Sequence, residues 1–433
     1  MKKSPVNAEI KRLNAKRRRK IFGRVMLGIA CIVALFVGVT YAITLSGNAK
    51  NMELARSFDK VEIDENITIE NYDNGCWDIS ANRDIKVLQL TDVHFGGGWM
   101  SLKKDAMALN AVAAMVTAEK PDLIIITGDM AYPVPFQAGT FNNLNGARLL
   151  AELMETLGVP WTVSLGNHDS EFYSFYNRKK VSDFYEHSGF EHCLYQSGPD
   201  DVDGYGNQVI NLRKKNGLIN RTLFILDSHS YTDGDFLGIM WKYDNIHDNQ
   251  IEWYKNTVAQ LSAENVETLS TLPAEKQPAH PEDFTTVKSL VFLHIPVEEY
   301  KTAWHEYINN NSQNTTDVEY VGGVAGESGE VVYCGIHPDE FFETMVELGS
   351  TQAVFCGHDH LNNFAVNYKG ITLSYGMSVD YLAYIGIAKK GAQRGCTVID
   401  VAKNGSFEIT KECYYQDKYV SKYEKETVLD IEA

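Results

Sequence analysis

A chain of 433 residues, 44% hydrophobic and 22% charged, has ordinary globular composition, enough for one large domain or two small ones. Its formal charge of -17 is unevenly spread: residues 1–24 hold ten Lys/Arg and one acid, Glu9, which leaves 30 basic and 56 acidic residues in the body. So acidic a body excludes sequence-independent nucleic-acid binding as the main role, and no nucleic-acid partner is expected.

The basic segment 1–24 precedes residues 25–45 (VMLGIACIVALFVGVTYAITL), 21 residues without a charge. That length crosses a bilayer core. The Lys/Arg block in front of it places the N-terminus in the cytoplasm and the body outside, on a single-pass anchor in the cell membrane. The rival is secretion after signal cleavage, with Thr40-Tyr41-Ala42 as a poor cleavage site. The apolar run exceeds the roughly 7–15 residues of a signal core, so an uncleaved signal anchor is expected. Cys31 lies inside it. The other six cysteines are an even number that permits disulfides without fixing any. Residues 46–80 read as a stalk and first edge strand, and residues 81–433 as one catalytic domain.

Five apolar runs follow, and each stops at a metal-capable side chain. VLQL ends at Asp92 and His94, LIIIT at Asp129, WTVSL at Asn167-His168-Asp169, SLVFL at His294, and AVFC at His358 and His360. Open α/β sheets carry their sites at the carboxyl ends of strands, so the five tips read as one site. Between the first three, residues 101–119 and 145–157 have helical spacing, the βαβ signature of a mainly parallel sheet. Further on, residues 222–227 read as a strand and 249–261 as a helix. Residues 262–287, with three prolines, read as a surface loop. Residues 308–335 read as a long substrate-facing loop, with Glu327 a candidate contact. Residues 338–348 read as a helix with Pro338 in its first turn. The runs after His360 suggest a closing antiparallel sheet. Gly96-Gly97-Gly98 is expected to let the backbone approach the metals. The remaining histidines read as surface or satisfied groups, His229 at the FILDSHS tip being the best exception. Asp227 there reads as structural. Packing is expected of Phe172, Tyr173, Phe175 and Tyr176.

Asp92, His94, Asp129, Asn167, His294, His358 and His360 are seven oxygen or nitrogen donors, too many for one tetrahedral ion. They suit two ions sharing one carboxylate, and mixed His/Asp/Asn ligation favours Fe, Mn or Zn over Ca or Mg. Two ions about 3.5–4 Å apart clamp a phosphoryl group and activate water. The reaction expected is hydrolysis of a phosphate ester by metal-bound hydroxide.

Asp-x-His (Asp92, His94), Gly-Asp (Gly128, Asp129), Gly-Asn-His-Asp (residues 166–169), the isolated His294 and Gly-His-x-His (residues 357–360) resemble, in order, the five blocks of calcineurin-like metallophosphoesterases. VLQLTDVHFGG, GNHDSE, FLHIPVEEY and GHDHLNNF resemble the purple acid phosphatase 29-like branch. The resemblance implies an α/β (α+β) fold: a four-layer β sandwich of two sheets flanked by helices, here preceded by one transmembrane helix. It implies that Asp92, His94 and His360 hold the first ion, that Asp129 bridges, and that Asn167, His294 and His358 hold the second. His168 would stand over the substrate, stabilising charge or protonating the leaving oxygen, with Asp169 orienting it. Purple acid phosphatases proper have Asp-x-Gly first and a Tyr ligand after Gly-Asp. His94 replaces that Gly here while Tyr132 keeps the Tyr position, so His94 is expected to bind and Tyr132 to line the pocket. A phosphomonoesterase is the function expected. The rivals are a phosphodiesterase or pyrophosphatase acting on nucleotides or lipid headgroups, and, outside enzymes, a catalytically silent surface-binding domain.

Overall fold

The structure is a computed structural model that describes residues 5–63, 66–72, 76–236, 238–327, 331–384, 387, 393–423 and 425–426. The first four residues of the basic segment, residues 328–330 of the long loop and the last seven of the chain lie outside the described residues.

Two sheets face each other. The smaller has the order β14-β13-β3-β4-β5, from β3 (Ile85–Leu90), β4 (Leu123–Thr127), β5 (Trp161–Ser164), β13 (Gly395–Val401) and β14 (Phe407–Cys413). β3, β4 and β5 are parallel, and β13 joins β3 antiparallel. The larger has the order β1-β2-β6-β7-β8-β10-β12-β11-β9. Its strands are β1 (Thr68–Tyr72), β2 (Cys76–Ala81), β6 (Gln208–Lys214), β7 (Ile219–Ile225), β8 (Ser289–Phe292), β9 (Val318–Gly322), β10 (Thr351–Cys356), β11 (Ala365–Tyr368) and β12 (Ile371–Tyr375). Its central strands β7, β8, β10 and β12 are parallel. Among the described residues the α-helices are α1 (Pro5–Arg56), α2 (Leu102–Glu119), α3 (Asn143–Leu157), α4 (Arg178–His187), α5 (Asp248–Thr271), α6 (Glu299–Asn309) and α7 (Phe341–Leu348).

The strands are apolar on both faces because both faces are covered. In β4, Leu123 and Ile125 point inward, against Leu290, Phe292, Ala353 and Phe355 of the larger sheet. Ile124 and Ile126, one residue out of phase, meet Val112, Met115 and Leu150 of α2 and α3. The outer face of the larger sheet packs Phe224, Val291 and Val354 against Tyr254 of α5, Tyr300 of α6 and Phe341 of α7. A period of two with no polar phase is what a strand buried on both sides requires. Helix, sheet, sheet and helix make the four layers implied by the family blocks.

α1 runs unbroken past the apolar stretch, whose large side chains from Val25 to Leu45 are exposed. It is the one helix among the described residues long and apolar enough to cross a membrane. Its end lies against the body. Asn48 donates to the Gly97 carbonyl at 2.8 Å, Asn51 to the Leu102 carbonyl at 3.0 Å, and Arg56 pairs with Glu152 at 2.5 Å. The segment expected as a stalk is therefore helical as far as Arg56.

Three expectations need correction. Residues 262–271, read as loop, are the last turns of α5. The face they bury is polar: the Asn265 side chain accepts from the Ile219 amide at 2.8 Å and donates to its carbonyl at 3.1 Å, a contact invisible to apolar periodicity. The loop 308–335 contains β9, the edge strand of the larger sheet. α7 starts at Phe341, so Pro338 stands outside it. All seven cysteines are free thiols.

Candidate dimetal centre

The strands β3, β4 and β5 of one sheet and β8 and β10 of the other all end at one place. Asp92 and His94 follow β3, Asp129 follows β4, Asn167 follows β5, His294 follows β8, and His358 and His360 follow β10. The site therefore uses the carboxyl ends of both sheets, where the sequence pattern suggests one. All seven side chains are buried.

They form two groups whose donor atoms lie within 4.8 Å of one another: Asp92, His94, Asp129 and His360, and Asp129, His294 and His358. Asp129 belongs to both. Its Oδ2 lies 3.3 Å from His94 Nε2 and 3.2 Å from His294 Nε2, while its Oδ1 accepts the His168 amide at 2.8 Å. His360 Nε2 is 3.5 Å from Asp92 Oδ1. Asn167 presents Oδ1 3.1 Å from His294 Nε2, because its amide nitrogen donates to the Tyr231 hydroxyl at 3.0 Å.

The imidazoles are held from behind. His294 Nδ1 lies 2.8 Å from the Thr127 carbonyl, which can only accept, so its proton sits there and Nε2 keeps a free lone pair. Asp380 faces two rings from behind as an ion-pair partner, lying 3.2 Å from His94 Nδ1 and 3.4 Å from His360 Nδ1. Asp380 is itself fixed by the backbone amides of Leu382, Ala383 and Tyr384 at 2.6 to 2.8 Å. Sequence reasoning misses it. It stands in the loop after β12, a strand tip of the same kind, but its run reads as part of the closing sheet.

The backbone is strained at this place. Asp92, Asp129, His94 and His358 have φ of 49°, 53°, 54° and 75°, left-handed values that side chains other than Gly seldom adopt and that cluster at functional sites. Two glycines are fixed by close approach. A Cβ on Gly357 would meet Thr91 Oγ1 at 1.9 Å, and one on Gly166 would meet Asp129 Oδ1 at 2.1 Å.

The pocket's field favours positive charge. Burial opposes a charged His94, but Asp380 and Asp129 outweigh it and push its pKa up to about 10. Burial likewise opposes His294, and Asp129 lifts it to about 9. Asp129 and Asp380 are held well below the carboxylate range in spite of burial, by His294 and His94 respectively. His358 is driven down by burial and by the charge of His294. A pocket that draws protons onto buried imidazoles also draws cations.

His168 lies beside both groups, its ring 5.5 Å from that of His94 and 4.8 Å from that of Tyr132. The orienting role expected of Asp169 is corrected. Its carboxylate accepts the amides of Asp129 at 3.0 Å, Ala131 at 2.8 Å and Gly166 at 2.8 Å, and so ties two of the strand tips together. Glu171, two residues on, faces His168 Nδ1 at 2.7 Å. Spacing explains the difference: on the short turn 168–170 an i, i+3 partner reaches the ring and the next residue points away. The Tyr132 hydroxyl turns to Gln137 at 2.6 Å. Gly96 and Gly97 give their amides to Asp105 at 2.8 and 3.1 Å, so the glycine triplet is organised by α2 and not by the metal donors. Phe172 and Phe175 are exposed, their rings against only Tyr173 and Phe141 respectively among the ring contacts of the described residues. Glu327 accepts the Leu361 amide at 3.1 Å, next to His360. Asp227 pairs with Arg178, a structural role.

A family model described as calcineurin-like phosphoesterase matches residues 85–362, the span that carries every one of these donors. The chain belongs to that family. Among curated relatives, the "probable inactive purple acid phosphatase 14" of Arabidopsis thaliana is 29% identical over 351 residues, covering 74% of this chain and 78% of its own. The "probable inactive purple acid phosphatase 29" of the same plant is 28% identical over 345 residues, covering 75% and 78%. Among solved structures, a dimetal phosphatase from Danio rerio aligns over 77% of this chain and 98% of its own, with 10% identity and a TM-score of 0.45.

Proposed function

We propose that this chain is an active, membrane-anchored hydrolase of phosphate monoesters that works with two metal ions. The observation that carries the reading is Asp129, a fully buried carboxylate shared by two groups of donors. The donor set suits two-ion chemistry, with His94 and His360, oriented by Asp380, beside Asp92 on one side, and His294, His358 and Asn167 on the other. Mixed nitrogen and oxygen donors favour Fe, Mn or Zn. When bound, such a pair of ions activates water and neutralises charge on the phosphoryl group.

The chain's own residues supply the rest. His168 stands at the edge of the pocket with Glu171 on Nδ1, which leaves Nε2 to meet the substrate. Burial opposes its charge, but Asp129 and Glu171 raise its pKa, which favours the protonated form that can give a proton to the leaving oxygen. Tyr132, beside both His94 and His168, forms an aromatic wall to the pocket.

The anchor reading rests on the exposed apolar surface of α1, which water would not tolerate over that length, and on the basic residues before it. It puts the catalytic body outside the cytoplasm in the cell membrane. The names of the plant relatives favour a second reading, a silent binding domain.

The test is turnover of a phosphomonoester beside a phosphodiester, by the full chain in detergent, supplied with Mn, Zn or Fe at pH 5–9. Faster turnover of the monoester is expected. Preference for the diester would replace the substrate class, and metal binding without turnover of either ester would favour the silent domain.

A further inference from the structure

The two ends of the sheets offer different surfaces to solvent. At the amino ends of the parallel strands the turns are charged: Arg83 and Asp84 precede β3, Lys120 and Asp122 precede β4, Lys215 lies between β6 and β7, and Lys403 between β13 and β14. Around the dimetal centre, at the carboxyl ends, the loops are not. Residues 95–102, 130–147, 172–177 and 236–241 contain no Asp, Glu, Lys or Arg. Their tips hold large apolar side chains out into solvent: Met100 is 46% exposed, Phe136 88%, Phe172 60%, Phe175 68% and Trp241 61%.

These tips form one rim. The Met100 amide donates to the Ala138 carbonyl at 3.1 Å and the Phe175 amide to the Phe141 carbonyl at 2.9 Å, which joins the first three loops. The fourth closes on the same place, since a Cβ on Gly238 would meet Glu171 Oε2 at 3.2 Å. Glu171 faces His168, so the rim surrounds the mouth of the centre. Apolar side chains scattered singly are ordinary, but a joined set of them around a site marks a surface that something covers.

α1 identifies the cover. Phe36 stands nine residues before Leu45, about 13 Å back along the helix axis. Its ring is 6.1 Å from that of Trp99, edge to face. Trp99, beside Met100, therefore lies at the level of the charge-free stretch. Beyond that contact Asn48 holds Gly97, Arg56 meets Glu152 of α3, and the Val61 amide donates to the Leu157 carbonyl at the far end of α3. The chain thus enters the body at the rim and runs toward the charged end. A bilayer around residues 25–45 stands against the rim, and aromatic and long apolar side chains are what such an interface takes up. Charge agrees. The body holds 56 acidic residues against 30 basic, and the carboxylate-free rim is the part of it that lipid phosphates do not repel.

We propose that the rim lies in the surface of the bilayer that holds α1, and that the substrate of the dimetal centre is a phosphate monoester of a lipid in that bilayer. The proposal rests on the hydrolase and anchor readings above. A lipid phosphate projects from the apolar layer, so it reaches the mouth while its chains stay in the leaflet. The bond from the water oxygen to phosphorus forms as the bond to the lipid oxygen breaks. That oxygen takes the proton and remains in the membrane as an alcohol, and inorganic phosphate leaves to water.

Two measurements on the full chain in phosphatidylcholine vesicles test this. In the first, with Mn, Zn or Fe supplied, turnover of phosphatidic acid in the vesicles is compared with that of glycerol 3-phosphate at equal bulk concentration. Phosphatidic acid is expected to react faster by about tenfold or more, since enzyme and substrate share one surface. Equal or slower turnover of phosphatidic acid overturns the lipid substrate and leaves the monoesterase standing. Turnover of neither overturns the hydrolase reading, and the lipid substrate with it. The second measurement needs no activity: quenching of tryptophan fluorescence by phosphatidylcholine with brominated chains. α1 contains no tryptophan, and Trp99 and Trp241 stand on the rim. Quenching that falls in the double variant Trp99→Phe, Trp241→Phe is expected. Equal quenching in the two proteins overturns the membrane-facing rim, and so does its absence from the unaltered protein, whether or not the variant folds.

Discussion

The two histidine clusters of this chain are built by opposite means. The dimetal centre is buried, and its donors sit two to four residues past the ends of five strands from two sheets. Its rings are set by groups that do not move, a strand carbonyl for His294 and the amide-bound Asp380 for His94 and His360. The outer cluster, His229, Asp244 and His247, lies on a loop, with His247 about a third exposed and its partner Asp203 more than half exposed. It has one strained residue where the centre has four. The difference teaches where rigidity is needed. Chemistry on phosphorus requires fixed donors, since small misplacements are costly in rate, whereas a cluster that only closes a loop tolerates water at its side.

That contrast can be broken by variants. Asp380→Asn should cost most, because the amide removes the charge that orients two imidazoles at once. A fall of about 10–100-fold in metal affinity or turnover is expected, read by titration and steady-state kinetics. A wild-type metal affinity and rate would mean that the rings are held by packing alone. His168→Ala should lower turnover by about 10²-fold while metal content stays unchanged. Glu171→Gln should lower kcat less and shift the limb of its pH profile that reports His168 downward, because the raised pKa of His168 falls when Glu171 loses its charge. Loss of metal from His168→Ala would make His168 a ligand instead. Asp169→Asn should act on stability, by about 2 kcal/mol in chemical unfolding, because an amide group cannot accept all three backbone N–H groups. The smallest effect on turnover is expected from Asp244→Asn, which removes one of the two carboxylates that face His247 and should lower the raised pKa of that ring in an NMR titration.

Much of the centre is legible in the sequence because each donor is tied to a strand end, and a strand buried on both faces is a short apolar run that reads plainly. The same runs give the parallel core of both sheets. What the runs do not carry is which sheet each strand enters. β3 and β8 look alike in sequence and lie in different sheets, and β13 pairs with β3 across some 300 residues. Polar residues that act on other polar residues are also hidden. Asp380, Glu171 and Asn265 work through partners set by the fold. Asp169 adjoins His168 in the chain, yet it is Glu171 that adjoins it in space. The outer cluster is hidden for the same reason: His229 stands out at its strand tip, but Asp244 and His247 follow a turn-rich loop with no period to place them.

The most direct test of the catalytic centre is the turnover of Asp129→Asn, measured beside its metal content. The shared carboxylate predicts a folded protein with loss of phosphoesterase activity and weakened binding of at least one ion. An Asp129→Asn protein that keeps both ions and full turnover would contradict the two-ion centre.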